Sequence, residues 1–208
     1  MHASLAPTSV PFTYEDYALL PPDGRIWELV EGEFHVNAAP VPFHQTVSRR
    51  LQYQLMTLLE NTGIAWIFSA PVDLILSEIT TLQPDLVIIA SKPGHPISDR
   101  AIEGRPDLVV EILSKNRSYD QVLKRRVYAK YAVPEYWILD PLGGTLEVLA
   151  LHGSSYRRTA LHQRDGTLSA MVCGQHVAIP LAPIFAPLML PARKTRPAAQ
   201  RKARRSAH

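Results

Sequence analysis

The longest periodic stretch of the chain runs from His44 to Asn61. Val47, Leu51, Leu55, Leu58 and Leu59 recur there at intervals of three and four, which lays one apolar stripe along a helix. Gly63 follows at the position where a helix is released into a turn. A second helix is predicted over Arg117–Ala132, stopped by Pro134. A short one starts at Tyr14, with Thr13 as N-cap and Asp16 as the answering residue of a weak capping box. Leu20-Pro21-Pro22-Asp23-Gly24 ends it.

Elsewhere the pattern is that of strands. Arg25 to Asn37 reads as a hairpin, IWELV and EFHVN about a Glu31-Gly32 turn, closed by Pro40 and Pro42. Ile64–Leu76 and Leu82–Ala90 are two strand candidates, and Asp107–Leu113 is a third whose apolar run implies burial on both faces. Glu135–Asp140 and Thr145–Leu151 are joined by an Asp-Pro-Leu-Gly-Gly turn. Tyr156–Leu161 and Gln175–Ile179 are shorter. No internal repeat is present. The pattern predicts one α/β (α+β) domain over residues 13–190, a mixed, strand-rich sheet with two main helices and an N-terminal hairpin. A flexible arm over 1–12 precedes it, and a basic, disordered tail over 191–208 follows.

Composition narrows the classes. The chain has 208 residues, 46% hydrophobic and 20% charged, enough for one domain with a full core. A single cysteine, Cys173, excludes an internal disulfide and a Cys-rich zinc site. No apolar run reaches the ~18 residues of a membrane span, and the N-terminus lacks a signal-peptide pattern, so a soluble cytoplasmic protein is expected. The net charge of +3 is unevenly placed: residues 192–208 hold seven basic side chains and no acid. The rest carries fifteen basic and nineteen acidic residues, a net −4. A mildly acidic body suits a site that gathers carboxylates around a cation; a basic tail suits recruitment of a polyanion.

Three acids interrupt apolar strands. Glu111 lies inside LVVEIL, Asp85 opens DLVIIA, and Glu28 shares a strand face with Ile26 and Val30. A buried charge is costly unless paired or metal-bound. Three such acids point to a shared Mg²⁺ or Mn²⁺, since hard oxygen donors suit those ions. The alternative is that each sits at a strand end or pairs with an Arg or Lys. Asp107 is four residues before Glu111, about 13 Å along a strand, too far to share its ion. Asp85 comes close to Glu111 if their strands are neighbours.

Asp120, Lys124 and Tyr128 are spaced by four and share one helix face. Lys124 then either forms a solvated ion pair or points at the metal site, where it orients a water or stabilises phosphate charge. Arg125 and Arg126 are candidate phosphate contacts. His44 stands at the start of the long helix, where capping or packing competes with an anion-facing role.

These residues resemble a known family, the Uma-type ("Uma two") restriction-endonuclease family of the PD-(D/E)XK superfamily. The resemblance rests on Trp27-Glu28-Leu29-Val30-Glu31-Gly32-Glu33, Pro42-Phe43-His44-Gln45, Gln83-Pro84-Asp85-Leu86 and Pro106-Asp107-Leu108-Val109-Val110-Glu111-Ile112-Leu113-Ser114. Asp120-x-x-x-Lys124-Arg125-x-x-Tyr128 and Val133-Pro134-Glu135-Tyr136-Trp137-Ile138-Leu139-Asp140-Pro141 complete it, over about residues 13–190. It implies a restriction-endonuclease-like core, a mixed sheet flanked by helices. It also implies a Mg²⁺ or Mn²⁺ ion held by Asp85 and Glu111, with Glu28 completing the site, and DNA as substrate. The motif's lysine belongs at 113, where this chain has Leu113. Lys124 matches the place of a lysine supplied by the following helix, and Lys115 is the other candidate.

Hydrolysis of DNA phosphodiesters is therefore the leading expectation, with a homodimer as a candidate assembly. A catalytically silent DNA-binding or protein-interaction module is the alternative. A hydrolase of smaller phosphoesters is a third reading. The absence of a Gly-rich phosphate loop argues against a nucleoside triphosphatase.

Overall fold

The computed structural model describes residues 10–114 and 119–188, with Asp120 described by its backbone alone. Residues 1–9, Lys115 and the basic tail lie outside the described residues.

Helix α1 (Tyr14–Ala18) has the expected capping box, with Thr13 and Asp16 exchanging hydrogen bonds. Strands β1 (Ile26–Val30) and β2 (Glu33–Asn37) form the hairpin in the expected register. Its turn places both Glu31 and Gly32 at positive φ, 51° and 84°. Gly32 is required twice over: a Cβ there would collide with the Pro11 side chain.

Helix α2 (Pro42–Leu55) starts two residues before the expected point, because Pro42 at the first turn has no N–H to satisfy. It continues as a wider π turn over Met56–Glu60. Gly63, at φ 74°, then turns the chain into β3 (Ala65–Ser69).

The expected strand over 64–76 is two strands in different sheets, β3 and β4 (Leu74–Ser77). Pro71, preceded by a cis peptide bond, lies between them and has no N–H to give a ladder. The expected strand over 82–90 divides likewise into β5 (Thr80–Leu82) and β6 (Leu86–Ala90), with Gln83-Pro84-Asp85 as the crossing point.

A two-residue strand β7 (Ile102–Glu103) precedes β8 (Leu108–Ile112), every residue of which is buried. The described part of the second helix is a π segment, Tyr119–Lys124, running into α3 (Arg125–Lys130). Strands β9 (Glu135–Asp140), β10 (Thr145–His152) and β11 (Ser155–Gln163) form a meander. A second hairpin pairs β12 (Thr167–Val172) with β13 (Gln175–Pro180), and α4 (Ala182–Phe185) follows. Strand β12 is not anticipated by the sequence pattern.

The result is a mixed α+β architecture. A six-stranded sheet has the order β11-β10-β9-β8-β6-β3, and a five-stranded sheet the order β2-β1-β5-β4-β7. In the larger sheet β8 pairs antiparallel with β6 and parallel with β9. Strand β8 shows how two cores arise. Leu108, Val110 and Ile112 pack with Val47, Leu51 and Leu55 of α2 and with the β12–β13 hairpin. Val109 and Leu113 point the other way, toward Val127 and Tyr128 of α3 and toward Val30, Leu74 and Leu82 of the smaller sheet. Glu111 shares this second direction by strand alternation. Among the described residues, no helix is long and apolar enough to cross a membrane.

Candidate active site

Strand pairing brings the backbone at two of the three expected acids close together. Leu86 lies opposite Val110 at the end of the β6–β8 ladder, so the next step sets Asp85 opposite Glu111. Asp85 is fixed there by its neighbour strand: its Oδ2 accepts the Ile112 backbone N–H at 2.8 Å. His44, in the first turn of α2, is buried over the same spot. Its Nε2 lies 2.8 Å from the Ile112 carbonyl and 3.3 Å from Asp85 Oδ2. A carbonyl only accepts, so Nε2 carries the proton. His44 thus ties the start of α2 to the end of β8 and to Asp85.

On the other face of the sheet, Lys124 is buried between two carboxylates. Its ammonium lies 2.9 Å from Glu111 Oε1 and 3.0 Å from Glu28 Oε1. Only 3% of Lys124 is exposed, and Glu28 and Glu111 show 0% and 2%. Tyr128, one turn beyond Lys124, donates its hydroxyl to the same Glu111 oxygen at 2.6 Å. Burial, and next the charge of Glu111, push that hydroxyl's pKa well above the usual tyrosine value. Tyr119 places its ring 5.5 Å from the Lys124 ammonium. Burial and the Glu28 charge raise its pKa too.

Glu28 is held from three sides. Besides Lys124, its Oε1 accepts the Gln83 backbone N–H at 2.8 Å, and its Oε2 accepts the Asn37 amide at 2.5 Å. Gln83 reaches further: its side-chain amide donates to Tyr17 Oη and to Asp73 Oδ1, both at 2.9 Å. Tyr17 in turn donates to Asp73. A polar network therefore runs from α1 through the Gln83-Pro84-Asp85 crossing to the buried lysine. Asn37, Gln83, Asp73 and Tyr119 are the members that sequence pattern alone did not assign a role. Their signal was spacing: Asn37 lies two residues past His35, the cross-strand partner of Glu28, and Gln83 lies two before Asp85.

The remaining candidates are placed apart. Arg125 donates to the Tyr156 carbonyl at 2.9 Å and so fastens α3 to β11. Arg126 points outward and pairs with Glu31 at 2.8 Å. Asp107 caps the far end of the strand, accepting the Ala90 N–H and pairing with Lys92. Leu113 is buried in the second core, which explains why the motif position supplies no charge. Lys115 and the Asp120 side chain lie outside what is described.

Asp85, Glu111 and the Ile112 carbonyl are hard oxygen donors, the chemistry that a Mg²⁺ or Mn²⁺ ion takes. Glu28 is engaged instead by Lys124, Gln83 and Asn37. Among the described residues, no three His, Cys, Asp or Glu side chains are grouped to hold a metal. The three acids expected to share an ion are thus not gathered into one ligand group; Glu28 faces the lysine.

A solved structure described as "a putative nuclease belonging to DUF820 from Anabaena variabilis ATCC 29413" superposes with a TM-score of 0.67. The two chains share 18% identity over 85% of this chain and 98% of that one, a likeness of fold. No curated protein matches. The Uma2 family model, described as "Putative restriction endonuclease", matches residues 14–182, so the chain belongs to the Uma2 family.

Proposed function

We propose that this chain is a metal-dependent endonuclease that hydrolyses phosphodiester bonds of DNA, with Asp85 and Glu111 holding a divalent cation and Lys124 acting beside it. The observation that carries the reading is the buried ammonium of Lys124, 2.9 Å from Glu111, on the acid's own face of the sheet. It stands in for the lysine that Leu113 replaces. Mg²⁺ or Mn²⁺, when bound, would acidify a water and neutralise charge on the scissile phosphate.

The chain's own groups do the rest. Glu28, with Asn37 and the Gln83 N–H behind it, holds Lys124 in place, so its role is to anchor the lysine. Tyr128 fixes the Glu111 carboxylate. Lys124 orients the attacking water or stabilises the five-coordinate phosphorane charge. The water gives up a proton to solvent as its oxygen bonds to phosphorus, the opposite P–O bond breaks, and the leaving oxygen takes up a proton from solvent. His44 holds Asp85 against the end of β8.

The test is cleavage of supercoiled plasmid and single-stranded DNA with Mg²⁺ or Mn²⁺. Nicking that requires metal and is lost in Asp85→Ala, Glu111→Ala and Lys124→Ala is expected. Activity that survives Lys124→Ala while both acid variants are dead moves the lysine's role to Lys115 or to water alone. One observation favours the silent-module alternative: Lys124 is already held by two carboxylates. Metal that raises the melting temperature, with no cleavage of any DNA, would decide for it.

A further inference from the structure

The chain passes between the two sheets twice, and the two passages lie side by side. In the larger sheet Ser69 is opposite Leu86, and in the smaller sheet Leu74 is opposite Leu82. Residues 70–73 and 83–85 span the gap between these pairs. Each span holds a proline, Pro71 and Pro84, with no N–H to give a ladder. A backbone bond crosses at one end, from the Ala70 N–H to the Asp85 carbonyl at 3.2 Å. At the other end side chains take over. The ladder step beyond Leu74 and Leu82 sets Asp73 opposite Gln83, and the Gln83 amide donates to Asp73 Oδ1 at 2.9 Å. A carboxylate only accepts, so the nitrogen side of that amide faces Asp73. Its other proton goes to Tyr17 Oη at 2.9 Å, and Tyr17 donates its own to the same Asp73 oxygen, closing a triangle. Tyr14, three residues earlier on α1, reaches Asp73 Oδ2 at 3.4 Å. All four residues are half-buried.

We propose that Gln83, Asp73 and Tyr17 are positioning residues, a polar joint between the sheets that sets Asp85 on one side and the Glu28–Lys124 pair on the other. The proposal rests on the nuclease reading and adds which groups hold its geometry. Gln83 belongs to both halves at once. Its side chain is clamped by Asp73 and Tyr17, while its backbone N–H holds Glu28, which holds Lys124. Two residues on, Asp85 accepts the Ile112 N–H and lies against His44. The groups of the site come from different sheets. Glu28 stands on the smaller, Glu111 on the larger, and Lys124 spans them at 3.0 and 2.9 Å. A shift of one sheet against the other would therefore change the distances on which the lysine depends. Reacting groups displaced by about 1 Å cost a rate on the order of a hundred-fold. The joint stands where such a shift would begin, at the lapse in the backbone ladder.

The test is a disruption and its rescue. Gln83→Glu keeps the side chain's length and sets a second carboxylate against Asp73. Gln83→Glu/Asp73→Asn returns an amide donor to the pair, with the bond reversed. Two readouts are taken on the full chain and both variants. One is plasmid cleavage with Mg²⁺, with kcat and KM separated. The other is amide hydrogen exchange in EDTA at Ile112, bonded to Asp85, and at Leu113, bonded to the Leu139 carbonyl. Gln83→Glu is expected to lose about ten-fold or more in kcat with KM little changed. Its Ile112 amide should exchange about ten times faster while Leu113 keeps its protection. The double variant should recover most of both losses. Wild-type exchange at Ile112 in Gln83→Glu would overturn the proposal, as would a double variant no better than the single one. Ile112 and Leu113 loosening together would also overturn it, since that is general destabilisation. A full chain that cleaves no DNA removes the nuclease reading instead, and the Ile112 exchange then decides on the joint by itself.

Discussion

The two faces of the segment Tyr119–Lys130 make the same kind of contact with the same hairpin, to different ends. Outside, Arg126 and Lys130 pair with Glu31 at 2.8 and 2.7 Å. Inside, Lys124 pairs with Glu28, three residues earlier on that hairpin, at 3.0 Å and with Glu111 at 2.9 Å. Distance does not separate them; if anything the outer pairs are shorter. Water does. The Lys130 and Arg126 side chains are 52% and 66% exposed, whereas Lys124 and its two acids are almost wholly buried. An exposed pair contributes roughly 0–1 kcal/mol, because solvent screens it in both folded and unfolded states. A buried one gains little net stability over an apolar substitute, yet losing one partner strands the other charge. The outer pairs therefore clip the helix to the hairpin, while the inner set holds two carboxylates and an ammonium in a fixed relation that chemistry can use.

The sharpest way to break this comparison is Lys124→Met. The side chain keeps its length and loses its charge, leaving Glu28 and Glu111 buried without their cation. Urea titration should show a loss of about 3–5 kcal/mol. Adding Glu28→Gln should recover part of it, since one stranded charge is then gone. A loss under 1 kcal/mol would mean that the inner and outer pairs are equivalent after all.

Next in size is Tyr128→Phe, which deletes the donor to Glu111 without opening a cavity. A loss of about 1.5–3 kcal/mol is expected, the worth of a buried hydrogen bond to a charged acceptor, read from the shift of the urea midpoint. Tyr128 also predicts a pH response. Its pKa is raised by burial and by Glu111, and burial likewise raises those of Tyr17, Tyr119 and Tyr156. Below about pH 10 all four are neutral in both states, so their contribution is fully present. Above it the unfolded chain releases phenolic protons that the folded chain keeps, and stability falls as pH rises toward the folded values. The midpoint should hold between pH 7 and 9 and fall beyond pH 10, less steeply in Tyr128→Phe. A midpoint unchanged up to pH 11 would contradict the burial of these hydroxyls.

Much of this arrangement is legible in the sequence, for reasons that differ by residue. The Thr13–Asp16 cap, the Glu31-Gly32 turn and the Val47-Leu51-Leu55-Leu59 stripe are local signals, carried by residues within one or two turns. Lys124 and Tyr128 meeting one carboxylate follows from helical spacing, although the preceding segment is a π turn that propensity does not foretell. What local pattern cannot carry is which sheet a strand joins. Residues 64–76 read as one apolar run, and only the tertiary partners of β3 and β4 show that it serves two sheets. Strand β12 hides for a related reason: its inward residues are Leu168, Ala170 and Val172, and the small Ala170 dilutes the alternation. Glu28 shows the limit within the site. Its position among apolar residues marks it as special, but a lysine and a metal satisfy a buried acid equally well on paper. Only the distances assign it to Lys124.

The smallest effect tests the outer side of the comparison. Hydrogen bonding from Lys130, ahead of its and Arg126's charges, lowers the pKa of Glu31 below the ordinary glutamate value. The sign follows: the contribution is present above about pH 4.5 and is lost as pH falls through the lowered folded value. Its size is limited by exposure, for the Glu31 side chain is 34% open to solvent. A double-mutant cycle of Glu31→Gln with Lys130→Met should therefore give a coupling of about 0.2–1 kcal/mol at pH 7 and low salt. The coupling should shrink in 1 M salt, where the screening length is ~3 Å, and vanish below the folded pKa. The same cycle on Glu28 and Lys124 should be larger and nearly indifferent to salt, because no mobile ions reach a pair with no solvent around it. If both cycles respond to salt alike, water enters the inner site, and the lysine is positioned by solvent as much as by Glu28.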